Sequence, residues 1–403
     1  MTTKAEYEEP KGEEFGGYQR YRLPLSPYER FLKEEEVPIF RGIGVYDVRQ
    51  LSLGPWKRLG GRGIFLQLDG CGPIRGMYVV EVPAAGALNS ERHFYDEFMY
   101  VVEGRGSTEI WREGSTKRQT FEWQAGSLFN IPTNTHHRLV NASTSPALVL
   151  AATNAPPIMN IFQSRNAIFD NPYEFRERYD ESVDFFKARS EVELEPVRGR
   201  AMVSSNVYHD IANCGLPRDN QRMTGSRRIQ PHFTGYDYGP GAGGFIHDFS
   251  VGRYTVAHYH AAGAVLVCLK GKGYSFNWPV PLGTRPWEAG KGDQVKLQEY
   301  TAGGLVAAAP GGGNWYHQHF GLSKPNETFR VMNFWCGPTP IGAGTVNDEE
   351  GGPGREVEAF GRAIQYKDED PFIRKEYEAA LKREGLKSTM PDSLWSAPDR
   401  IFR

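Results

Sequence analysis

Histidine placement is the feature that most constrains how this chain can fold. Seven of its ten histidines fall in four short clusters: His93; His136 and His137; His258 and His260; His317 and His319. A set of residues with fixed spacing, here called a frame, occurs twice with a shift of 167 residues. It consists of His93, Glu97 and Gly104 in the first half and of His260, Ala264 and Gly271 in the second. A repeat of this length predicts two similarly folded units in one chain.

A second frame follows the first in each half. Its members are Gly126, Pro132, His137 and Asn141 and then Gly304, Pro310 and His317. The second copy carries an extra glycine stretch at 311–313, which shifts its register. We prefer His317 to His319 as the repeated histidine, because its four-residue step to Gly321 matches the step from His137 to Asn141.

The sequence around these frames favours strands. Residues 98–102 and 265–269 are β-prone runs, and each is followed by a Gly-x-Gly turn that is typical of a hairpin. The 46 glycines and 27 prolines also require a turn-rich architecture rather than a helical bundle. We therefore expect each motif to lie on adjacent antiparallel strands.

The paired motifs resemble those of the cupin superfamily, in which Gly, His-x-His, Glu and Gly precede a motif of Gly, Pro, His and Asn. The resemblance implies an all-β fold with two jelly-roll barrels in one chain, a bicupin. The sequence at 101–106 (VVEGRG) is further similar to gentisate 1,2-dioxygenase-type cupins. The expected division is an N-terminal arm at 1–40, barrels at 41–165 and 201–345, a helical linker at 166–200 and a helical tail at 346–403.

Three segments outside the barrels carry helical signals. Residues 26–33, which begin with Ser26, are predicted to form a short capped helix. Residues 171–198 have aromatic side chains at three- and four-residue steps, which predicts an amphipathic connecting helix. Asp370 and Pro371 give a helix-start signal before an apolar periodicity at 372–387.

The C-terminal half offers a three-histidine metal site. His258, His260 and His317 are its expected ligands, and neutral imidazole nitrogen suits a divalent first-row metal. Iron(II) is the expected ion, with manganese, nickel and zinc as alternatives. Ala264 stands where the resemblance places a glutamate ligand. His319 is a candidate catalytic acid or base, with a packed core histidine as the alternative.

The N-terminal half has a different set of candidate ligands. Glu91 replaces the first histidine while Glu97 is retained, which gives the set Glu91, His93, Glu97 and His137. Two carboxylates and two imidazoles favour manganese or ferrous iron. In the alternative, Glu91 faces solvent or pairs with Arg92, and this barrel holds no metal. We expect His136 to be an outer or surface residue.

Substrate-binding residues are predicted by type only. Tyr274, Trp278 and Trp315 lie near the second motif pair and would give an aromatic lining for a planar or apolar molecule. Arg253 and Arg330 are candidates to bind a substrate carboxylate through paired hydrogen bonds. The alternative for the aromatic residues is ordinary core, and for the arginines it is the surface.

Composition excludes several classes of function. The formal net charge is −2 with both signs spread along the chain, so neither nucleic acid nor an acidic membrane is an expected partner. No apolar run approaches a membrane span and no secretory signal is visible, so a cytoplasmic protein is expected. The resemblance also implies a homo-oligomer.

The predicted function is an iron-dependent dioxygenase that uses O2 on a small oxygenated organic substrate at the C-terminal site. One alternative is a lyase, isomerase or decarboxylase in which the metal acts as a Lewis acid. Another is a non-catalytic bicupin that binds a small ligand.

Overall fold

The chain is built almost entirely from β-strands, and the predicted all-β fold class is confirmed. A computed structural model describes residues 25–72, 74–194, 201–217, 227–233, 245–259, 264–308, 310, 314–334 and 363–396. The strands of the N-terminal half are β1 Ile39–Gly42, β2 Gly44–Val45, β3 Gly54–Trp56, β4 Gly61–Leu68, β5 Gly76–Val82, β6 Gly86–Ala87, β7 Glu97–Glu103, β8 Arg105–Trp111, β9 Gln119–Gln124, β10 Leu128–Ile131, β11 His136–Asn141 and β12 Ala147–Thr153.

The second half adds a similar series. Its strands are β13 Glu193–Leu194, β14 Ala201–Ser204, β15 Val207–Tyr208, β16 Arg227–His232, β17 Ile246–Asp248, β18 Ala257–His258, β19 Val265–Lys270, β20 Lys272–Pro279, β21 Lys296–Thr301, β22 Leu305–Ala307, β23 Trp315–Gly321, β24 Arg330–Phe334 and β25 Ala363–Ile364. The α-helices are α1 Pro27–Glu34, α2 Ala155–Phe162, α3 Arg165–Phe169 and α4 Pro371–Arg383, and short 3-10 turns lie at Val48–Gln50, Val280–Leu282, Gly292–Gln294 and Asp392–Trp395.

Each half forms a barrel from one large and one small sheet. The N-terminal large sheet has the order β1-β4-β5-β12-β7-β10-β15, with β3 beside β4, and the small sheet is β6-β11-β8-β9. The C-terminal large sheet is β13-β14-β16-β17-β24-β19-β22-β2, and the small sheet is β21-β20-β23-β18-β25. Because side chains alternate across a strand, each sheet presents one face to the barrel interior and one face outward.

The two large sheets pack on each other through their outward faces. Phe98 and Tyr100 of β7 share one apolar cluster with Val265 and Val267 of β19. The intervening residues of β7, such as Met99, belong instead to the core of the N-terminal barrel. Burial on both faces explains why β7 and β19 read as continuous apolar runs in the sequence.

Each barrel receives one strand from the part of the chain assigned to the other. Strand β2 pairs with β22, so Val45 lies opposite Leu305. Strand β15 pairs with β10, so Val207 lies opposite Phe129. The expected division into 41–165 and 201–345 remains a prediction, and these two exchanged strands do not follow it.

The Gly-x-Gly turns do not close hairpins, which corrects the sequence prediction. Strands β7 and β8 flank Gly104 but lie in different sheets, and β19 and β20 do the same around Gly271. Both glycines have positive φ, +87° and +77°, and a Cβ on Gly104 would lie 2.7 Å from the Ala147 backbone. These positions are corners where the chain passes from the large to the small sheet, and side chains would obstruct the turn.

Two predicted helices are confirmed. Helix α1 begins after Ser26, whose hydroxyl accepts a hydrogen bond from the Glu29 N–H, while the Glu29 carboxylate accepts one from the Ser26 N–H. Helix α4 begins at Pro371 after the N-cap Asp370, and it buries Tyr377 and Leu381 against the C-terminal small sheet. The remainder of the predicted arm and tail includes 1–24 and 346–362, which lie outside the described residues.

The predicted connecting helix at 171–198 is wrong over its described part. Helix α2 ends at Phe162 and helix α3 at Phe169, and residues 171–194 run through turns to the short strand β13. Side chains satisfy backbone N–H groups there, as when Asp180 accepts from the Ser182 N–H, and Glu181 has a φ of +58°. The periodic aromatics still pack, because Tyr179 and Phe185 are buried against the N-terminal barrel.

Candidate metal centres

Four side chains meet inside the N-terminal barrel near one end of β7 and β11. They are Glu91, His93, Glu97 and His137, and one ligand atom from each lies within 4.8 Å of all the others. His93 Nε2 lies 3.3 Å from a Glu97 oxygen, and His137 Nε2 lies 3.5 Å from oxygens of both Glu91 and Glu97. The structure thus brings together the complete N-terminal set.

Strand geometry explains this convergence. Glu91 forms an antiparallel bridge with His137, and β11 alternates so that His137 points inward. Glu97 is the first residue of β7 and lies opposite Ile131, also on the inner face. Residues far apart in the chain therefore become neighbours because both sheets meet at this end of the barrel.

Backbone carbonyls fix both imidazole rings. His93 Nδ1 lies 2.9 Å from the Tyr95 carbonyl oxygen, and His137 Nδ1 lies 3.3 Å from that of Thr135. Because a carbonyl only accepts, each Nδ1 carries a proton and each Nε2 is the nitrogen that faces the carboxylates, with a proton when the site is empty and a lone pair when an ion is bound. This is the tautomer that a metal ligand requires.

A second layer of side chains holds the carboxylates. Tyr78 donates from its hydroxyl to Glu97 Oε1 at 2.5 Å. Arg58 pairs with Glu91, and its Nε also donates to Glu35 at 2.7 Å. Glu91 thus pairs with Arg58 and not with Arg92, whose partners are Glu113 and Asp170. Sequence reasoning missed Arg58 and Tyr78, because contacts 33 and 19 residues apart leave no local spacing signal.

Electrostatics keep both carboxylates ionised. Burial opposes the charge on Glu91, but Arg58 and His137 hold its pKa at about 2. Burial also opposes ionisation of Glu97, yet His93 and His137 hold the pKa of that carboxyl well below its usual range. For His137 burial favours the neutral ring, and contact with both carboxylates outweighs it and raises the pKa to about 9. The site therefore attracts a cation.

The donor set fits a divalent metal ion. Donors bound about 2.0–2.2 Å from one ion lie roughly 3–4.4 Å from one another, close to the separations seen here. Among the described residues the buried His137 Nε2 has no hydrogen-bond partner, and its contacts are the Glu91 and Glu97 oxygens, each 3.5 Å away. A buried nitrogen lone pair beside two carboxylates is costly unless a cation or a proton occupies the space between them.

The C-terminal barrel places two of its three predicted ligands together. His258 lies directly opposite His317 in the sheet, and their ring centroids are 4.4 Å apart. The pair corresponds to Glu91 and His137 in the other barrel, which also face each other across a bridge. His260 lies outside the described residues. Ala264 is buried in the barrel core, at the position that Glu97 holds in the first barrel.

Strand register also shows that the glycine of the second frame lies one residue earlier than the sequence analysis placed it. Gly126 donates its N–H to Val101, and Gly303, not Gly304, makes the equivalent bond to Cys268. His137 lies opposite Ile110, and His317 lies opposite Asn277, at the same place in the sheet. The inserted glycines at 311–313 thus account for the shift of three residues between the two glycine–histidine intervals.

His319 lies on the same face of β23 as His317, with ring centroids 5.5 Å apart. Its Nδ1 is 2.5 Å from the Ser275 hydroxyl and 3.3 Å from the Tyr300 hydroxyl. The catalytic role expected for His319 remains a prediction, and the ring is already held in a buried hydrogen-bonded network.

Two predicted pocket aromatics face away from the histidines. Along β20, Tyr274 and Trp278 belong to the cluster that packs under α4, whereas Ser275 points to the barrel interior. Strand alternation places them on the outer face of the small sheet, so they do not line a site around His317. Trp315 shares the face of His317 and carries the Lys296 ammonium 5.4 Å above its ring.

The predicted arginine clamps have other partners. Arg330 makes paired hydrogen bonds to Asp248 at 2.6 and 2.9 Å and bonds the Cys214 carbonyl at 2.8 Å. It alternates with Val331 of the barrel interior, so its side chain leaves the barrel on the opposite face. The Arg253 guanidinium reaches Thr389 of the tail at 3.4 Å. The geometry therefore directs Arg330 away from the site.

His136 lies outside the N-terminal barrel. Its ring stacks on Trp111 with centroids 5.3 Å apart, and its Nε2 contacts Glu113 at 2.9 Å. This position is the outer one expected from the sequence, and His136 is a natural control for its inward neighbour His137.

Comparison with known sequences supports the resemblance over one barrel. Residues 78–153, from β5 to the end of β12, match the sequence family described as Cupin domain. No curated protein shows a significant match to the sequence. Among the described residues no helix is both long and apolar enough to cross a bilayer. The narrower resemblance to gentisate 1,2-dioxygenases remains a prediction.

The solved structures to which the chain is similar are distant in sequence. A mutant of Bacillus subtilis oxalate decarboxylase is 10% identical with a TM-score of 0.42, over 74% of this chain and 78% of that chain. The formate complex of Lactobacillus farciminis oxalate decarboxylase is 11% identical with a TM-score of 0.43, over 73% and 86%. Vicilin from hazelnut, Corylus avellana, is 11% identical with a TM-score of 0.42, over 83% and 96%.

Proposed function

We propose that this chain is a metal-dependent enzyme whose N-terminal barrel binds a divalent cation through Glu91, His93, Glu97 and His137. The observation that carries the proposal is the convergence of these ligand atoms within 4.8 Å, with the buried Nε2 of His137 3.5 Å from an oxygen of each carboxylate. The proposed substrate is a small oxygenated organic molecule, as the cupin resemblance implies.

The donor set indicates which ion to expect. Two ionised carboxylates are hard ligands, and together with two imidazoles they favour manganese(II) or iron(II) over soft metals. A dication would also balance the two negative charges held here at neutral pH. Nickel and zinc remain alternatives, and elemental analysis separates all four.

Side chains around the four ligands would orient the two carboxylates for a bound ion. A bound ion supplies Lewis acidity and open coordination positions. Arg58 holds the outer oxygen of Glu91, and Tyr78 holds that of Glu97, so each carboxylate has one oxygen left for the ion. The Arg58 side chain is 22% exposed and pairs with both Glu91 and Glu35, so it fixes the Glu91 carboxylate beside the proposed ion.

A second candidate centre lies in the C-terminal barrel. The close contact of His258 with His317 favours the three-histidine site that the sequence predicts with His260. A neutral shell of three imidazoles suits a dianionic substrate and iron(II), which is the basis of the proposed dioxygenase activity. Without the carboxylate that Ala264 replaces, this centre would bind metal more weakly than the N-terminal one.

Metal content tests the first centre. The purified chain should contain about one manganese or iron per N-terminal site, measured by inductively coupled plasma mass spectrometry. We expect the paired substitutions His93→Ala and His137→Ala to remove that metal. His136→Ala is the matched control, because it changes the adjacent histidine on the outer face and should retain full metal content. Equal metal in all three proteins would refute the proposal.

Oxygen dependence separates the reaction classes. The metal-loaded protein is assayed with catechols, gentisate-like acids and diketones, with and without O2. Consumption of O2 with product formation supports a dioxygenase, and loss of activity in His258→Ala assigns it to the C-terminal centre. Turnover that is unchanged without O2 assigns a lyase, isomerase or decarboxylase instead. Binding without turnover would support the non-catalytic alternative. A homo-oligomer and a cytoplasmic location remain predictions.

A further inference from the structure

The ring of Tyr95 lies flat against the ring of the proposed metal ligand His93. Their centroids are 3.8 Å apart and their planes differ by only 4°, which is close parallel stacking. Tyr95 is 4% exposed and belongs to the apolar core of the N-terminal barrel. The other imidazole ligand, His137, meets His93 edge-on with centroids 5.1 Å apart. The orientation of His93 is therefore set from the face that Tyr95 covers.

Tyr95 also contacts His93 through its backbone. The Tyr95 carbonyl oxygen accepts a hydrogen bond from His93 Nδ1 at 2.9 Å. A hydrogen bond at Nδ1 alone would leave the imidazole free to tilt about that bond, and a parallel ring against its face restricts this motion. The two contacts together fix the direction of His93 Nε2, which lies 3.3 Å from an oxygen of Glu97.

Two helices outside the barrel support Tyr95 from its other side. Phe169, the last residue of α3, meets the Tyr95 ring edge-on at 89°, with centroids 6.3 Å apart. Phe31 of α1 stacks on Phe169 in turn, with centroids 5.6 Å apart. The backbone N–H of Phe94, the residue before Tyr95, donates to the Ile168 carbonyl of α3 at 2.8 Å. Helices α1 and α3 thus pack against the residue that orients the ligand.

The stacked ring distinguishes the first half of the chain from the second. The repeat of the histidine frame places Ala262 at the position of Tyr95, and Ala262 lies outside the described residues. An alanine has no ring to offer from this position. Ordinary core packing at Tyr95 would be satisfied by any large apolar side chain, whereas a parallel stack on an imidazole requires a ring. These two roles make different predictions for substitutions.

We propose that Tyr95 is a positioning residue of the N-terminal metal centre and holds His93 in the orientation that a bound divalent ion requires. The inference rests on the proposed function, because it takes His93 to be a ligand. The ring face and the backbone carbonyl make the two contacts with His93. Tyr95→Phe should therefore preserve metal binding, whereas Tyr95→Leu retains apolar volume and the carbonyl but removes the stack.

Isothermal titration of the full chain with manganese(II), well below the unfolding temperature, tests the proposal. Groups that orient a metal ligand typically contribute 10- to 100-fold to metal affinity, so we expect Tyr95→Leu to raise the Kd about tenfold or more and Tyr95→Phe to stay within about twofold of the wild type. The electron paramagnetic resonance spectrum of bound manganese(II) reports ligand geometry. It should match the wild type in Tyr95→Phe and differ from it in Tyr95→Leu.

Phe121→Leu is the matched control for a general loss of core packing. Phe121 is a ring of the same apolar core, is 7% exposed and meets Phe129 with centroids 5.2 Å apart. This variant should lower the Tm as Tyr95→Leu does but keep the wild-type Kd. A wild-type Kd in Tyr95→Leu, or an equal rise in Phe121→Leu, would overturn the inference and leave the metal site standing. A wild type that binds no manganese(II) would overturn the proposed function and this inference together.

A second variant applies if Tyr95→Leu does not fold. Phe169→Leu, at a half-buried position, removes the edge contact that supports the Tyr95 ring and leaves Tyr95 itself in place. We expect it to raise the manganese(II) Kd by about three- to tenfold, a smaller effect because the stack itself remains. An unchanged Kd in this variant would contradict the role assigned to Tyr95 and its supporting helix.

Discussion

The two barrels place different chemistry on the same inward positions. In the first, Glu91 faces His137 across a bridge, and in the second, His258 faces His317 in the same arrangement. Glu97 of the first barrel is replaced by Ala264, so an ionised carboxylate gives way to a methyl group. The N-terminal interior therefore concentrates negative charge beside an apolar core, whereas the C-terminal interior combines neutral polar groups with smaller side chains.

This difference shows how a barrel can change its chemistry without changing its fold. Strand alternation and register decide which positions point inward, and the outward positions of β7 and β19 build the shared contact between the large sheets. A substitution at one inward position therefore alters a site and leaves that contact intact. Function must be argued from each site separately.

Substitutions in the two interiors should have unequal effects on stability, and this is the largest difference we expect. Phe129→Ala should lower the free energy of unfolding by about 3–5 kcal/mol, because a buried ring leaves a large cavity. Val306 lies opposite Leu266 as Phe129 lies opposite Met99, so the two positions are equivalent. Val306→Ala should cost about 2 kcal/mol, since it removes only two methyl groups. Urea unfolding midpoints measure both. Equal costs would contradict the inferred difference in interior packing.

Copying the second barrel into the first should abolish its metal site. Glu97→Ala produces the residue found at Ala264, and we expect metal affinity to fall at least 100-fold, about 2.7 kcal/mol. Glu97 is the ligand closest to His93, and it contacts His137 as well. Isothermal titration with manganese(II) measures the change. Glu122→Ala, at an exposed position of β9, should bind as the wild type does, and unchanged binding by Glu97→Ala would exclude Glu97 as a ligand.

Much of this fold could be predicted from local patterns. The helix at α1 follows from Ser26 and Glu29, and α4 follows from Asp370 and Pro371, because caps act within one turn. The repeated histidine frames indicate two barrels because strand register preserves spacing. Helix caps and repeated spacings depend on residues that lie close together in the sequence, so they can be recognised from the sequence alone.

Features that depend on tertiary contacts could not be predicted in this way. Arg58 reaches Glu91 from a loop 33 residues earlier, and no spacing rule links the two. The outward orientation of Tyr274 and Trp278 needs the position of α4, which the sequence does not supply. The exchange of β2 and β15 likewise depends on how two large sheets meet.

The outer face of the C-terminal small sheet should make stability depend on pH. Burial raises the pKa of Glu369 to about 7, although hydrogen bonds from Tyr254, Trp395 and Gln318 partly oppose the shift. A carboxyl with a raised folded-state pKa binds more protons when folded, so its contribution is full below about pH 4.5 and is lost as pH rises through 7. The loss is up to about 3 kcal/mol.

Glu369→Gln should flatten this dependence. Thermal unfolding between pH 5 and pH 8 should show a smaller fall in Tm for the variant than for the wild type. The exposed Glu378→Gln, which alters an ion pair with Arg374 on α4, serves as control and should keep the wild-type slope. Identical slopes for wild type and Glu369→Gln would show that this carboxyl does not titrate in that range.

The smallest expected difference concerns one equivalent pair of hydrogen bonds. In the first barrel the Trp123 indole N–H donates to the Thr108 hydroxyl at 3.0 Å, and in the second the Ser275 hydroxyl lies 3.0 Å from that of Tyr300. Thr108→Val leaves a buried donor unsatisfied and should cost about 1–3 kcal/mol.

Ser275→Ala should cost less, about 0.5–1 kcal/mol, because the Tyr300 hydroxyl still lies 3.3 Å from His319 Nδ1. Urea unfolding of both variants measures the difference. A larger cost for Ser275→Ala would mean that the serine hydroxyl alone organises the polar interior. The expected order would instead show that Ser275, Tyr300 and His319 share their hydrogen bonds, so that the loss of one hydroxyl is partly compensated by the others.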